Sequence, residues 1–161
     1  DSFMLLITNF GDEMLFILAG LIVFWCIDKY EGYFMLAVGL FATVIGQFMK
    51  IAFRIPRPWV RDPALSVVGN ATESAGGYSF PSGHSLASVS LYGAVARWNK
   101  NRIARIVAIS LCVLVPISRM YLGVHTPLDV LVGSAIAAAL VLLIYPLIKS
   151  DKRNTYLTFI F

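Results

Sequence analysis

The chain has 161 residues, of which 58% are hydrophobic and only 14% charged, with a formal net charge of +4. A soluble domain carries about 25% charged residues and cannot hide this much apolar surface, so the composition excludes a disordered chain and a conventional soluble globule. With a mean hydropathy of +0.77, the natural solvent is a bilayer, and at about 20 apolar residues per span the length allows roughly five or six spans with no separate soluble domain.

Asp1 to Phe10 is a short leading piece with neither a basic region nor a cleavage site, and it does not read as a signal peptide. The first apolar run covers Met14 to Ile27, reaching back toward Phe10, and Asp28-Lys29-Tyr30-Glu31-Gly32 follows as a tight polar turn. The second run is Tyr33 to Phe53. Arg54 to Gly83, rich in Pro, Gly, Ser and charge, reads as a loop with at most short helices. The third run, Ser85 to Trp98, opens with Ser85-Leu-Ala-Ser-Val-Ser90, a composition suited to close helix packing or a polar cavity rather than to lipid. Asn99 to Arg102 is a basic turn, Ile103 to Ile117 the fourth run, and Pro127 to Ile148 the fifth, ended by Lys149 to Arg153. The apolar close, Tyr156 to Phe161, is expected to begin a sixth span of a longer chain. The expected fold is an all-α polytopic transmembrane helical bundle of about five to six spans, forming one membrane-embedded domain over residues 1–161. Cys26 and Cys112 sit inside apolar runs and read as small buried hydrophobes, not as a disulfide or a zinc site.

In such a protein lysine and arginine report orientation. Alternating faces place Lys29, Arg97, Lys100, Arg102, Arg105, Lys149, Lys152 and Arg153 on one side, and Lys50, Arg54, Arg57, Arg61 and Arg119 on the other. The first, more basic side is assigned to the cytoplasm, so the long loop and the turn near His125 face outward, as in a bacterial plasma-membrane protein. Placed this way, the positive charge gives no reason to expect a nucleic-acid partner.

Three short stretches on the outward face break the apolar pattern. Each has an ordinary reading. Lys50 at a helix end is a snorkelling cation, and Arg57-Pro58 is loop punctuation. Pro81-Ser82-Gly83-His84 is a helix start capped by Ser82, and His125-Thr-Pro-Leu-Asp129 is another, with Thr126 as cap and Pro127 at the first helical position. Together they say more. His84 and His125 are the two histidines of the chain, and Lys50, Arg57 and Arg119 lie near the same boundary. Burying several cations together is unfavourable unless an anion joins them. Arginine's planar fork suits phosphate, and a helix start containing glycine offers backbone N–H groups at close approach. The physics therefore points to an oxyanion site, best suited to phosphate. A neutral histidine can attack phosphorus, and a protonated one can donate to the departing oxygen. Asp129, four residues after His125, is placed to orient it, following the logic of the hydrolase triads. No Asp/Glu cluster on this face resembles a magnesium or zinc site, so neither a metal nor another cofactor is expected.

These residues resemble the signature of the type 2 phosphatidic acid phosphatase superfamily. Its first motif, Lys, six residues, Arg-Pro, is matched by Lys50 with Arg57-Pro58. The second, Pro-Ser-Gly-His, is matched by Pro81 to His84. The third, Ser-Arg, five residues, His, three residues, Asp, is matched by Ser118-Arg119, His125 and Asp129. The resemblance implies that His125 forms a phospho-histidine, that Asp129 orients it and that His84 protonates the leaving group and then helps activate water. It implies also that Lys50, Arg57, Arg119, Ser82 and the Gly83 N–H hold the phosphate, without a metal. Gln47, Trp59 and Tyr78 flank the motifs and either shape substrate access or, for the aromatics, anchor the interface. The implied function is a membrane lipid phosphatase acting on a lipid phosphate or diphosphate of the undecaprenyl diphosphate, phosphatidylglycerol phosphate or phosphatidic acid type, with a slight preference for the isoprenyl carrier. A lipid phosphotransferase using the same histidines, or a lipid-phosphate binding or transport protein, are the alternatives. The sequence leaves the oligomeric state open.

Overall fold

The computed structural model of the chain describes residues 1–149. Among them every regular element is an α-helix: α1 (Ser2–Asn9), α2 (Glu13–Cys26), α3 (Lys29–Phe53), α4 (Pro58–Arg61), α5 (Gly83–Trp98), α6 (Arg102–Tyr121) and α7 (Pro127–Lys149). The expected sixth span near Tyr156 lies outside the described residues.

Among the described residues, three helical stretches are long and apolar enough to cross a membrane: α3 continued through α4 to Arg61, α6 and α7. Helices α1 and α2, bent by 47° at their junction, make a fourth if taken as one span. The 16 residues of α5 rise only about 24 Å, short of a hydrocarbon core of about 30 Å. Its place in the bundle explains its composition. It packs against α2, α3, α6 and α7, and its serines at 85, 88 and 90 are fully buried. A helix surrounded by other helices needs small side chains that permit close approach more than it needs apolar ones for lipid. The lipid-facing role falls to the outer helices, where Phe48 and Ile51 of α3, Ile106 of α6 and Leu143 of α7 are all more than half exposed. Such a surface of large apolar side chains belongs in a membrane.

Two element boundaries differ from the sequence expectation, each for a local reason. The polar stretch after Ile27 is the first turn of α3 rather than a free turn. The Asp28 carboxylate caps it, accepting from the N–H groups of Tyr30 (2.8 Å) and Glu31 (3.1 Å). Helix α6 continues through Pro116 to Tyr121 and carries Arg119 on its last turn.

Helix α2 lies unusually close to α3. A Cβ placed on Gly32 would fall 2.4 Å from Cα of Phe24, and one on Gly39 would fall 2.4 Å from the Phe16 ring. Gly32→Ala is therefore expected to destabilise the protein by about 1–3 kcal/mol, read as a lower melting temperature in detergent. Gly76→Ala, where nothing lies within 4 Å, serves as the control and should leave it unchanged. At one end of the bundle Glu31 pairs with Lys149, and Arg97 stacks on Tyr145 at 4.0 Å, tying α3, α5 and α7 together. The motif residues gather at the other end.

Candidate active site

The C-terminal ends of α3 and α6 and the N-terminal ends of α5 and α7 meet there. Lys50 comes from the last turn of α3, Arg57 caps α4, Gly83 and His84 open α5, and Arg119 sits in the last turn of α6. His125 lies in the link from α6 to α7, and Asp129 in the first turn of α7. A cavity of about 350 Å³ opens among them, lined by Lys50, Arg57, Gly83, His84 and His125 together with Asp12, Glu13, Met14, Ser74 and Gly76.

The start of α7 is a reciprocal cap. The Thr126 N–H donates to the Asp129 carboxylate at 2.8 Å, and the Asp129 N–H to the Thr126 hydroxyl at 3.3 Å. The cap fixes the Asp129 carboxylate beside His125, whose Nδ1 lies 3.6 Å from the same oxygen. The Ser79 hydroxyl donates to that oxygen at 2.7 Å.

Arg57 Nη1 lies over the ring, 2.8 Å from His125 Nε2 and 3.5 Å from Nδ1. A carboxylate only accepts, so Asp129 favours the tautomer with the proton on Nδ1, which leaves Nε2 unprotonated. Burial pushes the His125 imidazole down to about 4. Its hydrogen bond to Asp129 opposes this shift, and the charges of Arg57 and Arg119 add to it. A histidine with a lowered pKa is neutral from that value upward, including the range between about 4 and 6.5 where a free imidazole is charged. In a His84→Ala variant, ring-nitrogen chemical shifts should show His125 neutral down to about pH 4; titration near 6.5 would contradict this.

The remaining Arg57 donors are fixed by backbone carbonyls: Gly76 at 2.7 Å, Gly77 at 3.1 Å and Val124 at 3.2 Å. Trp59 lies under the guanidinium, 5.7 Å away. Arg119 is different. It is fully buried, and its Nη1 donates to the hydroxyls of Thr8 (2.8 Å) and Ser74 (3.1 Å). Its Nε and Nη2 have no hydrogen-bond partner among the described residues, and its charge acts on Lys50, His84 and His125. Unsatisfied buried cationic donors among further cations are a strong demand for an anion.

Of the residues singled out from sequence, Lys50, Arg57, Gly83, His84 and His125 share the cavity, with Asp129 behind His125. Ser82 is placed otherwise. Its hydroxyl caps α5, accepting from Ser85 N–H (3.4 Å) and Oγ (3.0 Å), and its own N–H donates to the Asp129 carbonyl at 3.0 Å. It joins the two functional helix starts without lining the cavity. Gln47 lies beside Lys50 and Glu13, and Tyr78 is partly exposed. Sequence reasoning missed Ser79, Thr8, Ser74, Asp12 and Glu13. Ser79 adjoins the second motif, but single hydroxyl or acidic residues far apart in sequence carry no spacing signal. Among the described residues, no three of His, Cys, Asp and Glu converge as a metal site.

The chain belongs to the PAP2 superfamily, whose family model matches residues 31–153. It is 30% identical over 142 residues to sphingosine-1-phosphate phosphatase 2 of Homo sapiens, covering 84% of this chain and 35% of that protein. It is 29% identical to an undecaprenyl-diphosphatase of Sulfolobus acidocaldarius, covering 83% of this chain and 63% of the relative. The chain thus spans about a third of the length of the sphingosine-1-phosphate phosphatase. In three dimensions it resembles the crystal structure of a transmembrane PAP2-type phosphatidylglycerolphosphate phosphatase from Bacillus subtilis. The TM-score is 0.75 at 27% identity, over 91% of this chain and 75% of that one. Fold, family and relatives together define a membrane protein of a lipid-phosphatase family.

Proposed function

We propose that this chain hydrolyses a phosphate monoester or diphosphate of a membrane lipid through a phospho-histidine on His125. The observation that carries the reading is the His125 ring, with Nδ1 3.6 Å from the Asp129 carboxylate and Nε2 2.8 Å from Arg57, set in the lining of a cavity shared with Lys50, Arg57 and His84. The incoming phosphate draws Arg57 Nη1 onto its own oxygens and uncovers Nε2. Lys50, Arg57 and Arg119, with the Gly83 N–H at the start of α5, hold the phosphoryl oxygens, while Ser82 supports that start from behind. Burial and the nearby cations push the His84 imidazole down to about 3, and the negative charge of a bound phosphate raises it again, so that His84 takes up a proton from solvent. Nε2 bonds to phosphorus as the P–O bond to the lipid breaks, and His84 gives that proton to the departing oxygen. Asp129 stabilises the resulting imidazolium through Nδ1–H. Water, deprotonated by His84, then attacks phosphorus, breaks the P–N bond and releases phosphate. Catalysis is chiefly positioning plus stabilisation of spread negative charge, and no step requires a metal. The excess of basic residues counted on the opposite side in the sequence supports an extracytoplasmic position for the active end.

The test is phosphate release from detergent-dispersed phosphatidic acid, phosphatidylglycerol phosphate, sphingosine 1-phosphate and undecaprenyl diphosphate, comparing wild type with His125→Ala and adding a chelator. Release from at least one lipid that needs His125 and survives chelation is expected. Release from none, or equal release by the variant, overturns the reading, and loss on chelation overturns its metal-free form.

A further inference from the structure

Arg119 is anchored through one nitrogen. Its Nη1 meets two acceptors, the hydroxyls of Thr8 at 2.8 Å and Ser74 at 3.1 Å. The nitrogens without a hydrogen-bond partner among the described residues are Nε and Nη2. Those two belong together. The Nε–H and the nearer Nη2–H point the same way along one edge of the planar guanidinium, and such an edge is a complete two-pronged fork for an oxyanion. The anchoring thus does more than satisfy a buried cation, because it uses the nitrogen outside that fork and leaves the fork whole.

Both anchors are themselves held. Thr8 is buried near the end of α1. Met4 and Leu5 of the same helix pack against Ala71, Ala75, Leu122 and Val124. The carbonyl of Phe10, just after α1, accepts from the Tyr92 hydroxyl of α5 at 2.9 Å. The Ser74 hydroxyl donates to the Ala71 carbonyl at 3.1 Å, which leaves a lone pair for Arg119. Ser74 also lines the catalytic cavity with His84 and His125, so the fully buried Arg119 stands one hydrogen bond behind the cavity lining. Helix α1 lies well ahead of Lys50 in the sequence, and none of the three motifs reaches it.

We propose that Thr8, together with Ser74, is a positioning residue for catalysis: the two hydroxyls fix the rotation of the Arg119 guanidinium so that its Nε and Nη2 edge is presented to the phosphoryl oxygens, which makes α1 part of the active site. This rests on the phosphatase reading above. A fork works only when both prongs meet their oxygens, and misplacing a positioned group by about 1 Å costs on the order of 100-fold in rate. Loss of one anchor of two leaves the guanidinium partly held, and a cost of about tenfold is expected. A hydroxyl that only satisfied a buried donor would change stability and leave the rate of the folded enzyme where it was.

The test is a double-mutant cycle in detergent micelles. The measured quantity is kcat/KM per folded protein, on whichever of the four lipids named above releases phosphate fastest. Thr8→Val keeps the side-chain shape and removes the hydroxyl, and Thr8→Ser keeps the hydroxyl. With Arg119 present, Thr8→Val should lower kcat/KM about tenfold and Thr8→Ser less than about threefold. In the Arg119→Met background no guanidinium is left to position, and Thr8→Val should cost less than about threefold there. The proposal stands if Thr8→Val costs at least about three times more with Arg119 than without it. A smaller ratio overturns it, whether Thr8→Val is harmless or costs as much without Arg119, and so does an equal loss in Thr8→Ser and Thr8→Val. Should Thr8→Val not fold, as judged by melting in detergent, Ser74→Ala on its exposed loop takes its place in the cycle under the same threshold. A failed cycle on an active wild type defeats this proposal alone. Release from no lipid by wild type defeats the phosphatase reading and this one with it.

Discussion

His125→Ala is expected to lower phosphate release by at least about 10⁴-fold, the scale seen when a nucleophile or its orienting partner is lost from an assembled catalytic set. In the proposed mechanism no other group takes over, because the second histidine, His84, serves as the acid. A graded series behind His125 separates geometry from charge. In Asp129→Asn, an amide oxygen can take the place of the carboxylate oxygen that accepts from Ser79, the Thr126 N–H and His125. The helix cap then survives, and what is lost is the negative charge facing the imidazolium. A fall of about 10²–10³-fold in kcat is expected, as for removal of one preorganised electrostatic group. Ser79→Ala removes one donor to a carboxylate that keeps its others, so a fall of about tenfold is expected. Rapid acid quenching with labelled substrate should trap phosphate on wild-type protein and none on His125→Ala. Equal kcat for Asp129→Asn and wild type would show that the carboxylate charge does not assist the imidazole.

Much of this site was legible because its chemistry is written in fixed spacings. A histidine four residues before an aspartate at a helix start predicts the pairing of His125 with Asp129, and the cap formed by Thr126 and Asp129 is as local as that spacing. Helix ends at Lys50, His84, Arg119 and Asp129 converge because connected antiparallel helices bring alternate ends together. Contributions from elsewhere in the chain were not legible. Thr8 and Ser74 hold Arg119 from sequence separations of 111 and 45 residues, and no periodicity marks such a contact. The role of α5 was only half readable. Its serines announce something other than a lipid-facing helix, but a central position enclosed by four neighbours is a property of the fold. The start of α3 was misread because Asp28 looks like a turn residue, and its capping role depends on the conformation it adopts.

The two arginines of the site should respond to the same substitution with opposite effects on stability. Arg57→Met removes the donor that satisfies the carbonyls of Gly76, Gly77 and Val124. The Val124 carbonyl is buried, and a buried acceptor left without a partner costs about 1–3 kcal/mol, so this variant should melt at a lower temperature. Arg119 is fully buried, and its Nε and Nη2 have no hydrogen-bond partner among the described residues. Methionine fills a similar volume without a charge to desolvate, and replacing such buried ionic groups is often neutral or stabilising. Arg119→Met should therefore melt at the wild-type temperature or above, although Thr8 and Ser74 lose their shared donor. Both variants should lose about 10²–10³-fold in activity, because each removes a donor aimed at developing charge. Arg119→Lys should lose activity without gaining stability, since it keeps the charge but gives up the fork. Adding inorganic phosphate should raise the wild-type melting temperature by selective binding to the folded state, and Arg119→Met should not show that rise. Melting curves in detergent with and without phosphate decide this. A marked loss of stability in Arg119→Met without phosphate would mean that Arg119 holds the fold together rather than awaiting an anion.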